Sequence, residues 1–81
     1  MLTYDLDKRG NLARYDYLYR CIREDILSGR LSPGEKLPSK RTLAAHLNTA
    51  VVTVETAYAQ LEAEGYLYAR EKRGYYVCPV E

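Results

Sequence analysis

Three stretches of this chain, in each of which an apolar residue recurs every three or four positions, limit the folds open to it more than any other feature. The first stretch predicts an amphipathic helix that begins at Leu12 and ends at Ser28-Gly29, because glycine readily takes the left-handed conformation that terminates a helix. Leu31 to Gly34 is typical of a turn. The apolar stripe of this helix consists of Leu12, Tyr15, Leu18, Tyr19, Ile22, Ile26 and Leu27.

A second helix is predicted to begin at Leu37-Pro38-Ser39 and to run to about Leu47. The residue before a proline is pushed towards an extended conformation, and the Ser39 hydroxyl is able to accept hydrogen bonds from the free amides of a first turn. The side chains that this helix is expected to bury are Leu43, Ala44 and Leu47.

A third helix is predicted from Ala50 to Gly65, after a break at Asn48-Thr49 in which either residue is able to cap it. The β-branched run from Val51 to Val54 forms helices poorly, so a strand is the competing interpretation there. The alanine- and glutamate-rich continuation and the glycine stop favour the helix. Its apolar stripe consists of Val51, Val54, Ala57, Tyr58 and Leu61.

Two short runs rich in tyrosine and valine follow, Tyr66 to Arg70 and Tyr75 to Val80, with Glu71-Lys72-Arg73-Gly74 between them. This pattern predicts a β-hairpin with a basic tip. Three helices and a hairpin in that order predict a mainly α fold with a small β-hairpin, the winged helix-turn-helix. A chain of 81 residues has room for one core only. Residues 12–81 are expected to form that domain, and residues 1–11, which have no helical period, an extended or loosely packed arm.

Several classes of protein are disfavoured. The longest uncharged stretch, Leu43 to Val54, is shorter than the roughly 20 apolar residues that a membrane span requires. Two early aspartates interrupt any signal peptide, so a cytoplasmic protein is expected. Cys21 and Cys78 lack the spacing of a disulfide framework or a zinc site and are expected to be buried free thiols. His46 has no catalytic neighbour, so no enzyme activity, metal or cofactor is predicted for these residues.

The net charge is only +1, so the distribution of charge says more about a nucleic-acid partner than its sum. No acid lies between residues 36 and 54, and only Glu71 accompanies the basic residues near the C-terminus. Two separated basic spots on a near-neutral body suggest a docking face for double-stranded DNA. The spots are Lys36, Lys40 and Arg41, and then Arg70, Lys72 and Arg73.

A helix-turn-helix places the start of its second helix in the major groove, while basic side chains and backbone amides hold phosphates. At the start of the first helix of this pair, where the helix dipole favours an anion, the candidate phosphate contacts are Ser39, Lys40 and Arg41. At the hairpin tip, the candidates for the DNA backbone or the minor groove are Lys72, Arg73 and Gly74. Merely solvated charges are the alternative at both places.

The start of the third helix is expected to present Ala50, Val51, Val52 and Glu55 outwards, with Thr53 able to bond to a phosphate or a base. None of these is the arginine, asparagine or glutamine that reads base edges bidentately, so direct readout is thin. Apolar side chains meet thymine methyl groups, so an AT-containing site read partly through DNA shape is expected. Inward packing is the alternative for the valines, and an equal one for Val51. Glu55 either accepts from a cytosine amino group or repels phosphate.

From about Leu18 to Val77 the chain resembles the DNA-binding domain of the GntR family of bacterial regulators. Ordered motifs over that length are highly specific. They are Leu18-Tyr19-Arg20, Ile22-Arg23, Ile26-Leu27-Ser28-Gly29-Arg30-Leu31, Pro33-Gly34-Glu35-Lys36-Leu37-Pro38-Ser39 and Leu61-Glu62-Ala63-Glu64-Gly65-Tyr66-Leu67. The resemblance implies sequence-specific DNA binding in transcription regulation, and it carries the arginine of the family's second helix onto Arg41 and the wing glycine onto Gly74.

Within the family the chain looks most like the MocR type, through Leu37 to Ala44 and Thr53 to Tyr58. That type joins this domain to a large pyridoxal-phosphate-binding domain of aminotransferase fold. The resemblance implies a homodimeric full-length regulator whose cofactor domain, absent from these residues, senses an amine or amino acid. It fails from Asn48 to Val52, where the family usually has glycine, valine, serine, arginine and a polar residue. The identity of the DNA site therefore does not carry over.

Two other functions stay open at this point. A winged helix that binds another protein, without specific DNA readout, fits the near-neutral charge and the apolar start of the third helix. A fragment of an enzyme rests only on the domain that the resemblance implies to be missing.

Overall fold

Residues 2–79 are described by a computed structural model, and within them the predicted winged helix-turn-helix is confirmed. A short 3₁₀ helix, Leu6–Arg9, precedes the main elements. These elements are α1 (Arg14–Leu27), α2 (Lys40–Leu47), α3 (Val51–Ala63), β1 (Leu67–Arg70) and β2 (Gly74–Val77). The helical run from Val51 excludes the competing strand. β2 ends at Val77, so the predicted continuation of the strand over Cys78 and Pro79 is wrong, and Val80 lies outside the described residues.

The core lies where the three helices meet, and the hairpin closes one side of it. Tyr58 of α3 is fully buried, as are Leu18 of α1 and Leu43 of α2. Each large apolar side chain removed from water in this way contributes about 1.5–3 kcal/mol. Leu67 of β1 and Val77 of β2 are paired across the hairpin and face the same core. Further core residues of α1 and α3 include Ile22, Ile26, Val54, Ala57 and Leu61.

The end of α1 and the start of α2 are determined by the residues predicted to stop and to cap these helices. The Ser28 amide donates to the Glu24 carbonyl at 2.9 Å, and Gly29 follows with a φ of +86°, which a residue with a side chain adopts only at a cost. At the start of α2 the Ser39 hydroxyl accepts from the Thr42 amide at 3.1 Å. This is the predicted cap, and it satisfies one of the amides that a helix start leaves free.

The start of α3 differs from the prediction. Neither Asn48 nor Thr49 caps it, because Asn48 instead ends α2 in the left-handed conformation, with a φ of 54°. Asparagine tolerates that conformation better than most residues. Ala50 occupies the cap position, and its side chain makes no capping hydrogen bond. The first-turn amides of α3 therefore receive no side-chain cap from this position.

Several residues predicted to be buried are not, and they lie mainly at the ends of helices. Tyr15 and Leu27, in the first and last turns of α1, are 42% and 54% exposed. Val51 at the start of α3, for which outward and inward packing are equal expectations, is 38% exposed. Leu47 is half-buried. The helical period fixes a face but not the length of helix that the core covers, so the terminal turns project beyond it.

The two cysteines are free, as predicted, but half-buried instead of buried. Cys21 lies on α1 and Cys78 follows β2, whose Val77 is the last fully buried residue of the hairpin. Burial raises the pKa of both thiols, which favours their protonated form.

The N-terminal arm is packed, so the prediction of an extended or loosely packed segment is wrong for residues 2–11. Leu6 is 7% exposed and belongs to the core. The Tyr4 hydroxyl donates to the Asp25 carboxylate at 2.6 Å, and the Thr3 hydroxyl lies 3.2 Å from Nε2 of His46. Burial and this carboxylate raise the pKa of Tyr4 above its usual range. One leucine and one tyrosine are too few to produce a period, which is why the sequence pattern missed them.

A further pairing that the sequence pattern did not predict joins residues 34–37 to β2. The Leu37 amide donates to the Tyr75 carbonyl at 2.9 Å, and the Val77 amide donates to the Glu35 carbonyl at 2.9 Å. Lys36 forms an antiparallel bridge with Tyr76. The segment that leads into α2 therefore lies along the outer edge of the hairpin.

The Tyr58 hydroxyl is the polar group that joins α3 to the start of α2. It donates to the Pro38 carbonyl at 2.7 Å, and burial raises the pKa of Tyr58 above its usual range, so this donor keeps its proton. The Tyr58→Phe variant is expected to lose about 1–2 kcal/mol of unfolding free energy, because the carbonyl loses its partner. Urea denaturation measures this loss.

The matched control is Tyr68→Phe, because Tyr68 on β1 is 38% exposed. Its expected cost is below about 0.5 kcal/mol, as for most surface changes. Equal unfolding free energies for the two variants would contradict the role assigned to the Tyr58 hydroxyl.

Candidate nucleic-acid interface

The start of α2 is held in place from two sides. The bond from Tyr58 fixes Pro38, and Ser39 caps the helix directly after it. Lys40 is half-buried, with its Nζ 5.2 Å from the centre of the Tyr75 ring on β2. The aliphatic stem and charge of Lys40 therefore rest on the hairpin, while Arg41 is exposed.

The hairpin turns sharply at its basic tip, which comprises Lys72, Arg73 and Gly74. The Arg73 amide donates to the Arg70 carbonyl at 2.9 Å. Lys72 has a φ of 59° and Gly74 a φ of 109°, both in the region that favours glycine. A Cβ added to Gly74 would lie 3.3 Å from Cε of Lys36. The missing side chain of Gly74 therefore leaves room for the Lys36 stem.

The start of α2 and the hairpin tip face each other across a groove of about 570 Å³, here called the tip groove. Three of the predicted site residues line it, namely Ser39, Arg73 and Gly74. The structure thus brings together two of the three predicted contact regions. Lys72 precedes Arg73 in the chain and is exposed.

The head of α3, residues 50–53, is the third predicted region and does not line the tip groove. Val52 is 61% exposed, so inward packing is wrong for this residue, and Val51 is 38% exposed. Ala50 and Glu55 are exposed, as predicted, and Thr53 is half-buried. The head of α3 is therefore an apolar, accessible surface bordered by one carboxylate.

Several arginines outside the predicted site form ion pairs with aspartates near them in the sequence. Arg20 pairs with Asp16 at 3.1 Å and Arg30 pairs with Asp25 at 3.2 Å. Arg23 instead donates to the hydroxyl of a tyrosine on the same helix, at 3.0 Å. Within residues 2–79, ion pairs involve none of the following cations: Lys36, Lys40, Arg41, Lys72 and Arg73.

Lys36 belongs to this surface, although the sequence motifs did not select it as a site residue. It lines the tip groove together with Arg73. The available signal was the acid-free basic stretch that begins at Lys36. What the sequence could not show was the pairing with β2 that carries this lysine to the hairpin.

Other kinds of site receive no support from the described part of the chain. Between residues 2 and 79, no group of three or more His, Cys, Asp or Glu side chains is placed to hold a metal ion. In the same range, none of the helices has the length and apolar character needed to cross a membrane.

The fold and the grouped cations define a winged helix-turn-helix DNA-binding domain. The family described as "Bacterial regulatory proteins, gntR family" matches residues 14–77. The chain therefore belongs to the GntR family. This confirms the resemblance drawn from the motifs, and with it the DNA-binding function that the motifs implied.

Relatives that share this segment are much longer proteins. "Uncharacterized HTH-type transcriptional regulator YhdI" of Bacillus subtilis (strain 168) is 39% identical over 80 residues, which are 99% of this chain and 17% of that protein. "Probable rhizopine catabolism regulatory protein MocR" of Rhizobium meliloti is 38% identical over 73 residues, which are 90% of this chain and 15% of that protein. The chain thus spans about a sixth of these relatives, and the second supports the resemblance to the MocR type.

Solved structures with the same fold include a complex with DNA. YtrA from Sulfolobus acidocaldarius, a GntR-family transcription factor, superposes with a TM-score of 0.86 at 36% identity, covering 95% of this chain and 81% of that one. AraR(DBD) in complex with operator ORR3 superposes with a TM-score of 0.76 at 25% identity, covering 83% of this chain and 81% of that one.

A substitution at Gly74 measures how much the close packing at the hairpin tip contributes to stability. The Gly74→Ala variant is expected to lose about 1–3 kcal/mol of unfolding free energy, because alanine is strained at this φ and its Cβ would press on Lys36. Thermal or urea unfolding measures the loss.

Gly29→Ala is the matched control, because Gly29 also has a positive φ, +86°, but open space around the added Cβ. Its expected cost is about 1–2 kcal/mol, from the left-handed backbone alone, and smaller than that of Gly74→Ala. If the two variants lost the same stability, the close approach of Lys36 to Gly74 would have no energetic weight.

Proposed function

We propose that this domain docks the head of α3 in the major groove of DNA, holds phosphates through Lys40 and Arg41, and reaches the flanking groove with Lys72 and Arg73. The observation that carries the proposal is the meeting of the α2 start and the hairpin tip at the tip groove, with cations that form no ion pair within residues 2–79. Such cations on one surface lower the cost of bringing a polyanion to it. AraR(DBD), a protein of similar fold, is found in complex with an operator.

Recognition of the base sequence is proposed to depend on the apolar head of α3. Val52 is 61% exposed, and the Thr56 hydroxyl donates to the Val52 carbonyl at 2.8 Å. An exposed valine methyl has no hydrogen bond to offer a base, but it gains from contact with a thymine methyl. Glu55 then either accepts from a cytosine amino group or disfavours a phosphate at its own position. The phosphate contacts supply affinity, and the head of α3 supplies a modest preference among sequences.

The intact protein is proposed to be a cytoplasmic, homodimeric transcription regulator with a further domain. The support is that the chain matches about a sixth of its longer relatives, which are named as transcriptional regulators or regulatory proteins. From the resemblance to the MocR type, the further domain would hold pyridoxal phosphate and sense an amine or amino acid. The absorbance of bound pyridoxal phosphate in the full-length protein tests this, and a full-length protein without that absorbance would contradict it.

Arg41 provides the first test of DNA binding. In Arg41→Ala, the slope of log K against log salt concentration is expected to flatten by about 0.9, because one phosphate contact is lost. Titrations of a duplex selected from a random pool measure the slope between about 50 and 200 mM salt, a range in which phosphate contacts change the affinity strongly.

Arg20→Ala is the control, because Arg20 carries the same charge but is paired with Asp16 on α1. Its slope is expected to stay near that of the wild type. An unchanged slope and affinity for Arg41→Ala would remove this residue from the interface.

Thymine methyl groups provide the test of sequence recognition. Replacing the contacted thymine by uracil is expected to weaken binding by about fourfold, since burial of one such group contributes about 0.8 kcal/mol. In Val52→Ala the same replacement is expected to have little effect, because the partner methyl groups are gone. Equal losses in both proteins, at every thymine tested, would show that Val52 does not contact a thymine methyl.

A protein-binding winged helix is the second candidate, and the exposure of Val51 and Val52 favours it. The dependence of binding affinity on salt concentration distinguishes the two functions. A DNA reader loses affinity steeply as salt is added, whereas an apolar docking surface does not.

A further inference from the structure

Lys36 occupies a position that the proposed DNA contacts do not use. Its backbone is bridged to Tyr76, with Leu37 bonded to the Tyr75 carbonyl at 2.9 Å, so the residue is held on the hairpin edge instead of on a free loop. Its stem approaches Gly74, where an added Cβ would lie 3.3 Å from Cε. The backbone of Lys36 and the end of its aliphatic stem therefore lie against the hairpin, with the ammonium group one bond further along.

Charge around the tip groove is of one sign. Lys36 and Arg73 both line the groove, and Lys40 rests on the ring of Tyr75, another residue of its lining. Glu35, the acid next to Lys36 in sequence, is engaged elsewhere, because its carboxylate accepts from the Ser32 amide at 3.0 Å. No acidic side chain lines the groove among the described residues.

The groove also offers a neutral hydrogen-bond donor. The Ser39 hydroxyl donates to Oγ1 of Thr42 at 2.7 Å, which leaves the proton of the Thr42 hydroxyl available. A lysine, an arginine and a hydroxyl around one cleft suit a tetrahedral oxyanion, whose several oxygens accept from separate donors. Leu37 and Pro38 form an apolar wall of the groove, which reduces the competition from water.

We propose that the tip groove holds one backbone phosphate of the bound DNA beside the flanking groove, and that Lys36 contacts this phosphate together with Arg73, while Lys72, which does not line the tip groove, extends into the flanking groove. The inference rests on the proposed function and adds to it a contact from the segment before α2. This phosphate lies between those held at the start of α2 and the groove reached by the hairpin tip. Lys36 thus ties the position of the hairpin to a fixed point on the DNA backbone.

The test compares Lys36→Gln, Lys36→Arg and the control Arg20→Gln on a duplex selected from a random pool. Lys36→Gln is expected to flatten the salt slope by about 0.9, which makes its loss of affinity about threefold larger at about 50 mM than at about 200 mM salt. Lys36→Arg is expected to restore the slope, and Arg20→Gln to leave it unchanged. Thermal unfolding confirms that each variant is folded.

The phosphate itself is located by replacing single phosphates with neutral methylphosphonates. At one position the replacement is expected to weaken the wild type but to have a smaller effect on Lys36→Gln and on Arg73→Gln, which indicates a shared contact. Equal effects on all three proteins at every position, or a Lys36→Gln slope equal to that of Arg20→Gln, would overturn the inference. A wild type that binds no duplex even at low salt would instead overturn the proposed function.

Discussion

The hydrogen bond from the Tyr58 hydroxyl to the Pro38 carbonyl joins the two helices of the helix-turn-helix at the point where the first begins. Tyr58 is fully buried, and its ring meets that of Tyr75 edge-on, with centroids 5.2 Å apart. Lys40 lies over the other ring of this pair. One buried tyrosine thus links α3, the start of α2 and β2, and holds the start of α2 beside the hairpin.

Most of the framework was predictable because it depends on local rules. The stop at Gly29 and the cap at Ser39 were predicted from residue type, and both are present. The predictions that failed are those for which the residue type or the helical period allows more than one arrangement. Asn48 suits the start of one helix and the end of another, and the structure uses it for the end of α2. Tyr15 fits the apolar period of α1, but the period does not show where the core stops.

The candidate site could be predicted only in part, because some of its residues are placed by contacts between distant parts of the chain. Lys40 and Arg41 follow a recognisable cap, so their place at a helix start could be predicted from the sequence. Lys36 reaches the hairpin by pairing with Tyr76, far along the chain, and no local pattern encodes a pairing of that kind. The packing of Leu6 and Tyr4 against the helical core has the same origin.

Although the net charge of the domain is close to zero, the pairing of its charged side chains differs between its surfaces. Asp16 and Asp25 neutralise arginines of α1 and the following turn, while the cations around the tip groove form no ion pair within the part of the chain that the structure describes. A small net charge is therefore compatible with a polyanion partner.

The pairing of residues 34–37 with β2 also makes the lead-in to α2 a third, partial strand of the sheet. Bending between the hairpin and the helix pair on this side would disrupt these bonds, because Leu37 is bonded to the sheet and Pro38 to α3. The lead-in, the sheet and α3 are thus connected by bonds in which residues 50–53 take no part. Replacing the exposed side chains of Ala50 and Val52 would leave these bonds in place.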